Sequence, residues 1–216
     1  ADGAAVFFVL SKAGEASPPI AAWNALAEEY LEAAVSLNVG ETFAGPVFQR
    51  PIYQLMSIGL ELAMKSDLLL QGKRENELKV EYGHNLKKLL GDLAENRRDW
   101  AEANSRKQYK HWLRACRDDY RNSFGEYSET VQRMGCIADN AEIGESIFKV
   151  SDLIDKLSVS YSVNDDLRYY RERWVTYSVS KMPPFSDLAA RYLCFFGQNL
   201  CQEIDREYRT RITRTC

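Results

Sequence analysis

The chain has 216 residues, a formal charge of -3 at pH 7, and 45% hydrophobic and 27% charged side chains. A chain of this length buries about 70% of the surface its unfolded form exposes, so a single domain needs neither a disulfide nor a metal to fold. The small net charge excludes a global drive toward nucleic acid or anionic membrane, and no apolar run is long enough for a transmembrane helix, so any basic site must be local.

The opening "AAVFFVL" is short and lacks a basic leader, which predicts a strand-like arm or a packed terminal turn rather than a signal peptide. The first helix is predicted over Pro18 to Leu37, after Ser17 and a proline pair that favour a helix start. Ile20, Trp23, Leu26, Ala27, Tyr30, Leu31 and Ala34 give it one apolar face. The second helix is predicted over Pro51 to Gly72, with Gly72 as its cap. Its stripe of Ile52, Leu55, Met56, Gly59, Leu60, Ala63, Met64 and Leu68 is broad, which predicts a central position.

A polar link leads to a third helix, "HNLKKLLGDLAENRRDW", with Leu86, Leu89, Leu90 and Leu93 inward. Residues 98–127 are polar, charged and aromatic, and are expected to be a helical insertion with a loop around Gly125. A further helix is expected from Asn140 to Ser160, then a long connection with two prolines. The last helix is expected from Ser186, a natural N-cap, to Ile212, with Leu188, Tyr192, Phe196, Leu200 and Ile204 stepping by four. Strand alternation is confined to the N-terminal arm and "RWVTYSVS". The expected fold is all-α, one domain over 1–216, a four-helix bundle with a helical insertion after the third helix.

The five cysteines, Cys116, Cys136, Cys194, Cys201 and Cys216, are odd in number and show no C-x-x-C spacing. With only two histidines, no zinc pattern arises, and neither a metal nor another cofactor is expected. Cys194 and Cys201 lie on an apolar helical stretch and should pack as small hydrophobes. This usage suits a reducing, cytoplasmic compartment.

The second helix carries Glu61-Leu62-Ala63-Met64-Lys65, followed by Leu68 and Leu69. After the link come Gly83-His84-Asn85-Leu86 and Leu89. Later, "DLRYYRERWVTYSVSKMPPFSDL" holds an "RY" pair and a proline pair ahead of the final helix. These segments resemble one branch of the HEPN superfamily, helical bundles in which the matching helix reads close to E-L-A-L-K-x-x-L-L and is followed by G-H-D-L-x-x-L. The resemblance covers most of Pro18 to Ile212 apart from the insertion, and it implies a HEPN-like bundle. Many members are metal-independent ribonucleases that pair as homodimers. Others are inactive and bind RNA, nucleotides or protein partners. The family's nuclease motif is an arginine, four to six intervening residues, then a histidine. At His84 the pattern departs from it, because the nearest preceding arginine, Arg74, is too far upstream.

Arg106 and His111 do have that spacing, in "RKQYKH", although five helical steps do not share a face. His84 itself has two readings. An imidazole titrating near neutrality suits a general acid or base. A glycine before it and an amphipathic run after it suit a helix start, with His84 or Asn85 as cap, and this second reading is favoured. Glu61 and Lys65 are four apart with the acid first. If the second and third helices are adjacent, this pair orients His84; as a surface pair it contributes little.

The insertion holds the main nucleic-acid signal. Between Arg97 and Arg121, eight cations face four anions, 8 - 4 = +4, with Trp100, Tyr109, Trp112 and Tyr120 interleaved. Lys107, Lys110 and Trp112 are the candidate phosphate and stacking contacts, and the same pattern also describes an amphipathic helix docked on a bundle. No P-loop, G-x-G-x-x-G, H-E-x-x-H or G-x-S-x-G is present. The expected function is RNA or nucleotide binding with weak or lost ribonuclease activity, without membrane association. The rival expectation is a protein-interaction module of a bacterial defence or stress system with no nucleic-acid ligand.

Overall fold

The computed structural model describes residues 19–37, 46–124, 148–158 and 187–215, and its regular structure there is helical throughout. The elements are α1 (Pro19–Leu37), α2 (Pro46–Leu70), α3 (Glu75–Glu77), a π-helical turn π1 (Leu78–Tyr82), α4 (Leu86–Gly91), α5 (Glu95–Phe124), α6 (Val150–Ser158) and α7 (Asp187–Thr215). The all-α expectation therefore holds for these residues. The N-terminal arm, "RWVTYSVS", the long connection, Ser186, the Gly125 loop and the first part of the helix expected from Asn140 lie outside the described residues.

Leu31 of α1 is the wedge on which three long helices meet. It is fully buried, and a side-chain carbon added at Gly59 of α2 or Gly197 of α7 would lie 2.7 Å from it. Two glycines thus let α2 and α7 approach α1 closely. The buried stripe of α1 is Asn24, Ala27, Leu31 and Ala34, and Leu26, expected inside, is 41% exposed. The helix is turned because Asn24 reaches inward and donates to the Cys201 carbonyl at 3.0 Å.

α2 begins at Pro46 rather than Pro51 and runs through Pro51, which removes one intrahelical hydrogen bond in its second turn. It is central, as its broad stripe predicts: besides Met56, Leu60, Ala63, Met64 and Leu68, it buries Ser57, Glu61, Lys65, Ser66 and Asp67. Gly72 closes it at φ +98°, with Lys73 N–H bonding the Leu68 carbonyl and Gly72 N–H the Leu69 carbonyl. This is the paired capping pattern that glycine permits.

The segment expected as one helix from His84 is broken at Asp92–Ala94. Asp67 of α2 accepts the Ala94 N–H at 3.1 Å, satisfying a backbone donor that a continuous helix would have used. Residues 98–124, expected within an insertion, continue from Glu95 as the body of α5. Ala101, Ser105, Tyr109 and Leu113 form its buried stripe, stepping by four against α7. This segment is thus a full member of the helix packing. α7 begins at Asp187 and extends past the expected end to Thr215. Tyr192, Phe196, Leu200 and Ile204 are buried as expected, and Cys194 and Cys201 pack beside them as small apolar groups. Burial pushes the Cys194 thiol up to about 12 and that of Cys201 well above its ordinary value.

Candidate functional site

His84 is delivered by a tight sequence of local structures. In π1, Leu78 and Tyr82 point inward and Val80 outward. Gly83 follows at φ +51°, a backbone state that a side chain would strain. Asn85 then caps α4, its side-chain oxygen accepting the Lys88 N–H at 3.0 Å. Three contacts pin the loop: the Tyr82 hydroxyl donates to Asp92 at 2.8 Å, Lys88 Nζ donates to the Glu81 carbonyl at 2.9 Å, and the Lys87 N–H donates to Ser158 Oγ at 3.1 Å. Burial, and then the bond to Asp92, raise the Tyr82 phenol to about 12, so it stays a donor at neutral pH.

The histidine ring sits against α2. Its Nδ1 lies 2.9 Å from both carboxylate oxygens of Glu61, and Lys65 Nζ donates to Glu61 Oε1 at 2.6 Å. The Glu61 and Lys65 side chains are 8% and 10% exposed, against 39% for His84. The imidazole therefore bridges a buried ion pair and the solvent. A carboxylate on Nδ1 requires the proton there, which leaves Nε2 of the neutral ring as an acceptor. The structure thus brings Glu61, Lys65 and His84 together. Asn85, beside them, is occupied as the helix cap. The glycine–histidine junction and the Glu61–Lys65 spacing were both visible in the sequence. The π-helical turn that carries one over the other was not, because its residues have no distinctive pattern.

Arg106 and His111 are not brought together. Both lie within α5, where five steps rotate the side chains about 140° apart. Arg106 bonds Glu102 at 2.8 Å and is partly buried, whereas His111 is exposed. Trp112 is part of the core margin rather than an open stacking platform: it packs on Tyr109 and Phe195, and the Arg191 guanidinium lies 5.0 Å over its ring. Lys107 is exposed and Lys110 half-buried. Arg97 also leaves the basic surface. It is 4% exposed and pairs with Asp67 and Glu207. Asp67 escaped the sequence reading, although a lone acid in "AMKSDLLL" marks a buried charge in need of a partner.

Among the described residues, no group of three or more histidine, cysteine, aspartate or glutamate side chains is placed to hold a metal ion, and no helix is long and apolar enough to cross a membrane. No family model, curated protein or solved structure matches this chain.

Proposed function

We propose that this chain is a HEPN-like RNA-binding protein that holds the phosphate backbone along the outer face of α5. The observation that carries the proposal is a run without acids. From Ala103 to Arg117 there is no aspartate or glutamate, and Lys107, Lys110, His111 and Arg114 share one helical face. Lys107 and His111 are exposed, Lys110 is half-buried, and these three make no ion pair among the described residues. With Tyr109 and Trp112 turned inward, affinity comes from phosphate contacts rather than base stacking, which favours low sequence preference. Pairing of two copies, which the HEPN resemblance implies, belongs to the same proposal and is read by light scattering.

The test is fluorescence anisotropy of a labelled single-stranded RNA against salt. Affinity should fall linearly on logarithmic axes. Lys107→Gln with Lys110→Gln should lower the slope by about 1.4, since each phosphate contact on a single strand contributes about 0.7. An unchanged slope in the double variant removes α5 as the contact face. No binding at low salt favours the protein-interaction module.

One observation favours a second role at the same RNA. Glu61 holds Nδ1 of a half-exposed histidine, the arrangement that prepares Nε2 to accept a proton from a ribose hydroxyl. Any cleavage at this centre would persist in a chelator. It should fall by about 100-fold or more in His84→Ala, and in part in Glu61→Gln. Cleavage that is indifferent to His84→Ala, or absent in wild type, leaves this histidine as a helix-start group.

A further inference from the structure

We propose that Arg191 anchors a binding site for a small oxyanion, the phosphate or carboxylate group of a ligand held at the seam between α5 and α7. This site is separate from the α5 outer face and from His84. Its starting point is a concentration of buried donors without acceptors. Arg106 Nε, Tyr109 Oη and Arg191 Nε are buried and have no hydrogen-bond partner among the described residues, although the Arg106 guanidinium is held at Nη2 by Glu102. They are linked through one aromatic cluster, in which Tyr109 lies 5.7 Å from Trp112 and 5.5 Å from Tyr192.

Arg191 is the strongest of the three. It is 5% exposed and forms no ion pair among the described residues. Its guanidinium lies 5.0 Å from the Trp112 ring centre and 5.8 Å from that of Phe195. Ring faces return only part of what a cation loses on leaving water, so a charge balanced by them alone is under-compensated. Its electrostatic neighbours are the thiols of Cys194 and Cys116. Burial raises both, which keeps them neutral and unable to serve as the counter-charge.

The guanidinium is itself planar, and its edge N–H groups act as a fork within that plane. That geometry suits two oxygens of a carboxylate or phosphate. Trp112 and Cys116, one turn apart on α5 and both neighbours of Arg191, are half-buried.

The experiment is thermal unfolding of the full chain with inorganic phosphate, adenosine monophosphate or succinate, each matched in ionic strength with chloride. The wild-type midpoint should rise saturably with at least one of them. A response to phosphate and the nucleotide but not to succinate assigns a phosphate ligand; the reverse assigns a carboxylate. Arg191→Met should abolish the response while leaving the ligand-free midpoint unchanged or higher, because an uncompensated charge has been removed. Arg191→Lys keeps the charge but loses the fork, and should bind at least tenfold more weakly. This conservative variant carries the test if the methionine variant does not fold. No shift with any probe, or a wild-type response from the variants, overturns the proposal.

Discussion

Glu61 is the residue on which the buried polar face of α2 depends. It takes both the Lys65 ammonium and the His84 ring, and its carboxylate is nearly sealed from water. Replacing it with alanine strands Lys65 as a buried cation, and removing one partner of a buried pair costs about 3–5 kcal/mol. Removing both charges is far cheaper. Urea unfolding should therefore show Glu61→Ala strongly destabilised, and Glu61→Ala combined with Lys65→Met recovering most of the loss. Simple additivity of the two would mean that the pair is not coupled. The residues of this centre were legible in the sequence as a four-step acid–base pair and a glycine–histidine junction. Arg191 was not: its partners are the rings of Trp112, from another helix, and Phe195, one turn on in "LAARYLCFF", and ring contacts leave no charge pattern to read.

At the scale of elements, apolar periodicity located α2 and α7 well, because each has a continuous inward stripe of large side chains, and it located α1 although the buried residues there are Asn24, Ala27, Leu31 and Ala34. It failed for α5. Two of its buried positions, Ala101 and Ser105, are small or polar, and Ser105 is satisfied by the Ala101 carbonyl and by Asn199 of α7. A seam of this kind reads as solvated helix until the partner is known. The three-helix contact at Leu31 gives a sharp test of the packing. Gly197→Ala would crowd Leu31 and Leu60 at 2.7–3.1 Å, and overpacking of this kind costs about 1–3 kcal/mol. Leu31→Ala on its own leaves a cavity costing about 2–5 kcal/mol. In the Leu31→Ala background the two closest contacts are gone and only the Leu60 side chain, at 3.1 Å, remains to give way. Gly197→Ala should then become neutral or stabilising, because alanine is favoured over glycine in a helix by about 1 kcal/mol. Chemical denaturation of the four proteins measures this reversal of sign. Persistent destabilisation in the alanine background would place the clash elsewhere.

For the molecule as a whole, one ionic clasp ties the end of α2 to α5 and α7. Arg97 of α5 bridges Asp67 of α2 and Glu207 of α7, while Arg211 donates to Glu207 and to the Leu70 carbonyl at 2.6 Å in each case. An arginine side chain thus covers a C-terminal carbonyl of α2 that the helix itself cannot satisfy. Burial pushes the Glu207 carboxyl up, but the hydrogen bonds from Arg211 and Arg97 outweigh it and hold the group below its ordinary value. A carboxylate with a lowered folded value binds fewer protons in the native state than in the unfolded chain. Its contribution is therefore fully present above the usual glutamate range near about 4.3, and is lost as pH falls through the folded value. Glu207→Gln should be less stable than wild type at pH 6, and the gap should close as pH falls toward 3. Unfolding free energies measured across that window decide the matter. A gap that stays constant with pH would mean that the clasp works through shape and neutral hydrogen bonds, and that charge contributes little to holding the three helix ends together.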